Sequence, residues 1–181
     1  MSDRDEKGGW RFSATPRSRM PDVETIDSII AALYDVISGP AGQKRDWERM
    51  RWLFAPGARL IPTAPVRPPD AAADAPLTGD EPHAAHALDI DGYVARAGEY
   101  LEGQGFFERE VARRVETFGH VAHAWSTYES RHRAEDPEPF ARGINSIQLM
   151  HDGHRWWVVS VFWEAETPLA PIPERYLRSP G

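Results

Sequence analysis

Residues 143–166, GINSIQLMHDGHRWWVVSVFWEAE, decide the fold. They hold two runs rich in β-branched and aromatic residues, which is the composition of β-strands. Asp152 and Gly153 stand between the runs, and Asp-Gly is a strong signal for a two-residue hairpin turn because that turn needs a positive φ. The hairpin predicted from this turn places Asn145 opposite Ser160.

Both faces of the predicted hairpin are apolar, since side chains alternate between the faces along each strand. One predicted face carries Asn145, Ile147, Leu149, Trp156, Val158, Ser160 and Phe162. The other carries Ile144, Ser146, Gln148, Trp157, Val159, Val161 and Trp163. A sheet that is apolar on both sides must be covered on both sides. Helices are expected on one face, and a second copy of the chain is the simplest cover for the other.

The remaining elements are predicted from the spacing of apolar residues. Helical periodicity predicts helices over residues 24–37, 46–54 and 89–103. A short strand is predicted at residues 59–62. Dense Val, Ile, Thr and aromatic residues predict long strands over residues 106–118, 120–131, 142–150 and 155–164. The chain is therefore expected to run helix, helix, strand, helix and then four long strands.

The domain predicted from these elements covers residues 22–166. Residues 1–21 are polar and charged, and they are predicted to form a flexible arm. Residues 62–87 hold six prolines without any periodicity, which predicts a Pro/Ala-rich loop inserted in the domain. Residues 167–181 hold four prolines and are predicted to run extended over the surface as a tail.

The composition excludes several classes of protein. The chain has no cysteine, so it has no disulfide, no thiolate nucleophile and no cysteine-ligated zinc or iron–sulfur cluster. It has 28 acidic and 21 basic residues, a net charge of −7, which argues against nucleic acid or an anionic membrane as partner. The sequence shows no membrane-length apolar run, secretory peptide, phosphate loop or zinc-peptidase motif. We therefore expect a cytoplasmic protein with no cofactor and no metal site.

Three stretches resemble one family in wording as well as in the order of elements. They are VETFGHVAHAWSTYESRH (residues 115–132), PFARGINSIQLMHDGHRWWVVSVFWEAE (residues 139–166) and PIPERYL (residues 171–177). The chain resembles a bacterial branch, of unassigned function, of the nuclear-transport-factor-2-like (NTF2-like; also polyketide-cyclase-like or SnoaL-like) superfamily. The resemblance covers most of residues 25–177.

This resemblance implies an α+β fold in the shape of a cone. Three N-terminal helices would pack in a strongly bent mixed or antiparallel sheet and leave a pocket at the wide end. Many members are homodimers through the outer sheet face, which implies the same here. The superfamily includes isomerases, dehydratases, cyclases and non-catalytic binding modules. Its catalytic members generally carry an Asp in the pocket, but the last strand of this chain has none, and Asp152 is used by the turn.

Tyr128 is the first candidate site residue. It follows Ala122, Ala124 and Ser126 at a period of two, and small side chains on that face would let the helices approach closely. Its hydroxyl is therefore expected to point into the cone, either as a catalytic acid or as a core tyrosine bonded to a neighbour. Glu164, at the end of the last strand, is the candidate base, with a surface role as the alternative.

The predicted pocket lining combines aromatic and polar residues: Tyr34, Trp52, Tyr100, Tyr128, Asn145 and Ser160. Asn145 is expected among apolar neighbours, so either a ligand or Ser160 and Tyr128 must satisfy its hydrogen bonds. The charged run Glu108-Arg109-Glu110 is interpreted as a solvated strand edge or the rim of a subunit contact.

Three tryptophans are expected together on the outer face: Trp125, Trp157 and Trp163. Tryptophan is enriched at the centres of interfaces, so this face is predicted to form the homodimer contact. The competing interpretation makes the same face the pocket, with Trp157 and Gln148 as ligand contacts.

Three hypotheses for the function remain open. The first is a protein that binds a small apolar or amphipathic molecule. The second is an enzyme of the isomerase, dehydratase or cyclase type, with Tyr128 as acid and Glu164 or a histidine as base. The third is a non-catalytic dimeric interaction module whose pocket is filled by its own side chains. An open cavity with a buried titratable pair favours the enzyme, an open cavity without one favours binding, and a filled cone favours the module.

Overall fold

The computed structural model of the protein describes residues 17–67, 70, 72 and 76–179, which form three α-helices against a six-stranded sheet. The helices are α1 (Ile26–Ile37), α2 (Trp47–Leu53) and α3 (Ile90–Gly103). The strands are β1 (Phe54–Pro65), β2 (His83–Ala85), β3 (Phe107–Phe118), β4 (Val121–Arg131), β5 (Ala141–His151) and β6 (Trp156–Ala165). They lie in the order β2-β1-β6-β5-β4-β3, with β1 parallel to β6 and the other neighbours antiparallel. The α+β architecture predicted from the sequence is confirmed.

Side-chain caps start the helices near the predicted positions. α1 begins at a capping box, in which the Thr25 hydroxyl accepts from the Ser28 N–H and the Ser28 hydroxyl accepts from the Thr25 N–H, both at 3.0 Å. Asp46 and Asp89 cap α2 and α3 by accepting from the N–H three residues further on. Over the described residues, no helix is both long and apolar enough to cross a membrane.

The core lies between the helices and one face of the sheet, called the inner face from here on. Ile29 of α1 and Ile147 of β5 are fully buried in it. β4 turns Ala122, Ala124 and Ser126 to the same side, and all three are buried as their alternation predicts. Their small side chains let α1 lie close against the sheet.

The predicted register of the β5–β6 hairpin is wrong. Residues 152–155 connect the two strands, instead of a two-residue turn. The longer connection and a one-residue bulge in β6 together make Asn145 pair with Trp163 and not with Ser160.

A bulge in β6 then inverts part of the predicted faces. The register shifts by one residue at Val159, which has no partner on β5. Beyond it, Val161 and Trp163 lie on the inner face, where both line a cavity described below. Ser160 and Phe162 lie on the opposite, outer face, as their pairing shows. These four residues were predicted on the reverse sides, because a regular strand was assumed.

A second bulge lies in β3. Glu110 pairs with Tyr128 and Ala112 pairs with Thr127, so Val111 is the extra residue between them. An undisturbed hairpin would place the even-numbered residues of β3 on one face throughout. The bulge brings Glu110 to the inner face although Ala112 points outwards.

Part of the stretch predicted as a loop is regular strand. β1 continues to Pro65, and β2 pairs with it in antiparallel fashion, with His83 opposite Pro65. The predicted N-terminal arm lies mostly outside the described residues, and its end forms a 3₁₀ helix at Arg17–Asp22.

The C-terminal tail lies on the outer face of the sheet. The ring of Tyr176 is 5.8 Å from that of Trp125, between centroids. Thr127 Oγ1 donates to the carbonyl oxygen of Tyr176 at 2.6 Å, and Arg114 donates to that of Arg175 at 2.9 Å. The tail therefore covers part of the outer face at β3 and β4.

Candidate functional site

A cavity of about 280 Å³ opens between α1, α3 and the inner face of the sheet. Its apolar walls are Leu33, Ile37, Leu60, Ala97, Leu101, Phe106, Phe140, Ala141, Val161 and Trp163. Its polar lining is Tyr34, Tyr93, Tyr100, Glu108, Tyr128, Ser130 and Asn145. Tyr100 and Phe140 are 47% and 45% exposed, so they mark the mouth. Among the described residues that line the cavity, Glu108 is the only Asp, Glu, Lys, Arg or His.

Glu108 comes to the cavity because the β3 bulge turns it to the inner face, opposite Ser130 of β4. It is half-buried as a residue, and the surface that it keeps faces the cavity. Ser130 Oγ donates to Glu108 Oε2 at 2.9 Å, and Asn145 lines the same cavity. Burial raises the pKa of Glu108 to about 7, although the neighbouring side chains of Ser130 and Asn145 lower it. At neutral pH such a group can both accept and return a proton.

Two tyrosine hydroxyls share the cavity with this carboxylate. Tyr93 comes from α3 and Tyr128 from β4, and no described residue hydrogen-bonds to the hydroxyl of either. Burial, and then the negative charge of Glu108, raise the pKa of both phenols. Both hydroxyls therefore keep their protons at neutral pH and are available as donors to a bound molecule.

Gly143 of β5 makes room for Tyr128. The two residues are paired across β4 and β5. A Cβ atom on Gly143 would stand 2.4 Å from the Tyr128 hydroxyl oxygen and 2.4 Å from the carbonyl oxygen of Glu164. No side chain fits there, so this glycine determines where the Tyr128 hydroxyl lies.

Asn145 connects the cavity to α1. Its Nδ2 donates to the Tyr34 hydroxyl at 3.1 Å, and that hydroxyl lies 2.7 Å from Ser126 Oγ. Ser126 Oγ donates in turn to Glu110 at 2.5 Å. A chain of hydrogen bonds thus runs from Asn145, in the lining of the cavity, to Glu110 by way of Tyr34 and Ser126.

Four of the six residues predicted for the pocket line this cavity: Tyr34, Tyr100, Tyr128 and Asn145. That they bind a ligand stays a prediction. Trp52 does not line the cavity, and its carbonyl oxygen accepts a hydrogen bond from Arg155 near the β5–β6 connection. Ser160 lies on the outer face because of the β6 bulge.

Tyr128 and Glu164, predicted as acid and base of one site, do not lie in the same cavity. Glu164 is exposed on the outer side at the end of β6, where it forms an ion pair of 3.5 Å with His83. Glu108 occupies the position beside Tyr128 instead. The interpretation of the Glu108-Arg109-Glu110 run as a solvated edge is wrong for Glu108, although it holds for the exposed Arg109. Within the described part of the chain, no group of three or more His, Asp or Glu residues is placed to hold a metal ion.

The three tryptophans predicted for one outer patch do not share a face. Trp163 faces the cavity, where its ring meets that of Tyr93 edge-on at 6.3 Å. Trp157 is buried below Arg155, whose guanidinium carbon is 3.6 Å from the ring centroid. Trp125 lies on the outer face beneath Tyr176 of the tail. A homodimer through the outer face stays a prediction, and its contact would have to use other residues or include the tail.

No protein-family model and no curated protein matches the sequence. Solved structures share its fold. The chain is similar to an NTF2-like protein of unknown function from Silicibacter pomeroyi DSS-3, at 12% identity over 79% of this chain and 94% of that one, with a TM-score of 0.49. It is similar to naphthalene 1,2-dioxygenase with indole bound in the active site, at 11% identity over 86% and 83% of the two chains, with a TM-score of 0.51. A candidate ketosteroid isomerase from Parabacteroides distasonis ATCC 8503 is 10% identical over 81% and 92%, with a TM-score of 0.48.

At these identities the likeness concerns the fold alone. The α+β fold predicted from the sequence is confirmed, and the solved structures that are similar to this chain include proteins described as NTF2-like.

Proposed function

We propose that the protein is an acid–base enzyme that moves a proton on a small, uncharged, largely apolar carbonyl compound, with Glu108 as the base. One observation carries the proposal. The carboxylate of Glu108 lines an apolar cavity, and its burial raises its pKa. The hydroxyls of Tyr93 and Tyr128 line the same cavity, and no described residue hydrogen-bonds to either of them. An open cavity with a buried titratable pair favours an enzyme over a plain binding protein.

The chemistry follows from these three groups. The anionic form of Glu108 takes a proton from the carbon next to the carbonyl group, and the electron pair of that C–H bond moves to the carbonyl oxygen. Tyr93 and Tyr128 donate hydrogen bonds to the oxygen as it becomes negative. Glu108 then returns the proton to another carbon, which completes an isomerisation without a further reactant. Return of the proton to a departing hydroxyl would complete a dehydration instead.

The titration of Glu108 suits this role. A base is most effective when its pKa lies near the working pH, because it is then ionised and still basic enough to take a proton. The pKa of about 7 for Glu108 satisfies both conditions at neutral pH. The hydrogen bond from Ser130 holds the carboxylate in place between turnovers.

The cavity also limits the class of substrate. Its volume of about 280 Å³ lies just below the range of about 300–1,000 Å³ for sites that hold drug-sized molecules, so the substrate has one or two rings or a short chain. No Arg, Lys or His side chain is among the described residues that line it, and an anionic substrate would meet the charge of Glu108. A neutral molecule with one carbonyl oxygen fits these surroundings.

A second candidate function is binding without turnover. It is favoured by the apolar walls, which outnumber the polar groups and would hold such a molecule whether or not a proton moved. The two functions are separated by one experiment.

The experiment follows cyclohex-3-enone, a small ketone with an unconjugated double bond, in D₂O by ¹H NMR. The wild-type protein should speed both deuterium uptake next to the carbonyl group and migration of the double bond. Glu108→Gln should slow both by about 100-fold or more, the contribution typical of a positioned base. Glu164→Gln is the matched control, because it removes an exposed carboxylate outside the cavity, and it should keep the wild-type rate.

The outcomes decide between the candidates. Saturation-transfer contact between the ketone and the protein without deuterium uptake contradicts the enzyme and supports binding. Uptake that persists in Glu108→Gln contradicts the assignment of the base. Neither contact nor uptake contradicts both functions for this class of molecule.

A further inference from the structure

The mouth of the cavity is aromatic. Phe140, the residue before β5, and Tyr100 of α3 both line the cavity, and they are 45% and 47% exposed. Phe106, the residue before β3, lines it as well. Exposed apolar surface beside a cavity marks a place where a ligand binds, because the ligand removes that surface from water. The mouth is therefore suited to a ring and not to a charged group.

The ring of Phe140 is held from two sides. The ring of His132 lies almost parallel to it, at 4.2 Å between centroids and an interplanar angle of 11°. The ring of Phe106 meets it edge-on, at 6.0 Å and 63°. The backbone is fixed too, since the N–H of Phe140 donates to the carbonyl oxygen of Ser130 at 2.9 Å. These contacts leave the ring few other positions.

His132 supports this ring from outside the cavity. It is not among the described residues that line the cavity, and its Nδ1 donates to the carbonyl oxygen of Gly105 at 3.3 Å. His132 thus covers one face of the Phe140 ring, and the surface with which Phe140 lines the cavity stays open to a ligand. A ring that is already fixed loses little conformational entropy when a ligand packs against it.

The mouth lies next to the proposed base. Phe140 is bonded through its backbone to Ser130, whose Oγ donates to Glu108 Oε2 at 2.9 Å. The cavity of about 280 Å³ admits a molecule of two rings. If one ring places its carbonyl group beside Glu108, the other ring reaches Phe140.

We infer that the preferred substrates carry an aromatic ring in addition to the carbonyl group, and that this ring packs at the mouth against Phe140 and Tyr100. The inference rests on the proposed function for the place of the carbonyl group. Aromatic rings in contact prefer offset-stacked or edge-on arrangements, which add to the gain from burial alone. Phe140 is then a specificity-determining residue, and His132 is a positioning residue that acts through Phe140.

Two ketones of similar size test the inference. They are 4-phenylcyclohexanone and 4-cyclohexylcyclohexanone, which differ only in whether the second ring is aromatic. The Kd of each is measured by titration from the ¹⁵N–¹H shifts of the Ala97 and Ala141 amides, because both residues line the cavity. The wild type should bind the phenyl compound about 2- to 10-fold more tightly. Burial of apolar surface alone gives no such preference, since the cyclohexyl ring is the more apolar of the two.

Three variants locate the preference. Phe140→Leu keeps an apolar side chain without the ring, and it should bind the phenyl compound no more tightly than the cyclohexyl compound. His132→Ala removes the ring behind Phe140 and should reduce the preference. Phe118→Leu is the matched control, because it removes an aromatic ring that is 86% exposed at the end of β3, and it should keep the wild-type preference. If Phe140→Leu does not fold, Tyr100→Leu takes its place and should also reduce the preference.

The failure of this inference is distinct from the failure of the proposed function. A wild type that binds the cyclohexyl compound as tightly as the phenyl compound overturns the inference, even in a protein that catalyses deuterium uptake. A preference that persists in Phe140→Leu overturns it too, and so does a wild type that binds neither ketone. An unchanged preference in His132→Ala overturns the part assigned to His132. The expected preference supports the inference even in a protein that catalyses nothing, and the proposed function is then contradicted on its own assay.

Discussion

Replacing Glu108 by Gln should stabilise the protein at neutral pH, although it should remove the proposed activity. The ordinary pKa of a glutamate is 4.5, and burial raises that of Glu108 to about 7 in the folded protein. Between these two values the folded protein holds a proton that the unfolded chain releases. A carboxyl group with a raised folded pKa contributes stability that is complete below the unfolded pKa and is lost as the pH rises through the folded one.

The size of this loss follows from the two pKa values. Each pH unit of difference corresponds to about 1.4 kcal/mol, so the wild-type protein loses about 3 kcal/mol at this position between pH 4.5 and about pH 8. Gln does not titrate and loses nothing. The free energy of unfolding of Glu108→Gln, minus that of the wild type, should therefore increase by about 3 kcal/mol over this range.

Urea unfolding followed by tryptophan fluorescence measures the difference at each pH. Subtracting the free energy of unfolding of the wild type from that of the variant cancels the contribution of every group that titrates in the same way in both proteins. Glu116→Gln, which removes an exposed carboxylate from the same strand, gives the background for the comparison. The difference in the free energy of unfolding between Glu108→Gln and the wild type should change with pH more than the same difference for Glu116→Gln. If the two differences change equally from pH 4.5 to about 8, the reasoning that burial raises the pKa of Glu108 is refuted.

Two further predictions concern the support of the site and the docking of the tail. Gly143→Ala should lower the free energy of unfolding by about 1–3 kcal/mol, because the new Cβ would stand 2.4 Å from the Tyr128 hydroxyl oxygen, and it should also slow deuterium uptake from the ketone. Wild-type stability and rate in this variant would show that Tyr128 does not depend on the glycine. Tyr176→Ala should lower the free energy of unfolding by about 1 kcal/mol and make Trp125 more accessible to acrylamide, since it removes the ring that lies 5.8 Å away. Unchanged fluorescence quenching would contradict the docked position of the tail.

The helices and the long strands were predictable because their signals are local. The apolar spacing predicts a helix over residues 89–103, and α3 runs from Ile90 to Gly103. The predicted strand over residues 120–131 corresponds to β4. In both cases the spacing and the types of the side chains within the element are enough to predict it.

The sequence did not predict which residues of β3 and β6 face the helices. A bulge depends on how two strands pair, and the sequence of one strand does not show it. Val159 and Val111 are ordinary strand residues, and neither is a glycine that would suggest a bulge. Each bulge reverses which side the following or preceding residues occupy. Ser160 left the predicted pocket for this reason, and Trp163 entered it.

The small residues of β4 predicted one part of the candidate site, the position of Tyr128. Ala122, Ala124 and Ser126 identified the inner face, and Tyr128 followed from them. The base was missed, because charged residues near a strand edge are usually solvated, and Glu108 looks in sequence like its exposed neighbour Arg109. The signal that would have found it is the pairing of Glu108 with Ser130, which appears only when the β3 bulge is known.

The position of β3 explains why a bulge and a carboxylate occur together there. β3 lies at one edge of the described sheet. Edge strands often carry bulges or inward-pointing charges that prevent pairing with other sheets. Protection of an edge requires only a charge. It does not require an apolar cavity, two tyrosine hydroxyls to which no described residue hydrogen-bonds, or the hydrogen bond from Ser130 that holds the carboxylate. Those features are what a proton-transfer site needs. The bulge that shields the edge therefore also delivers the carboxylate of Glu108 to the cavity.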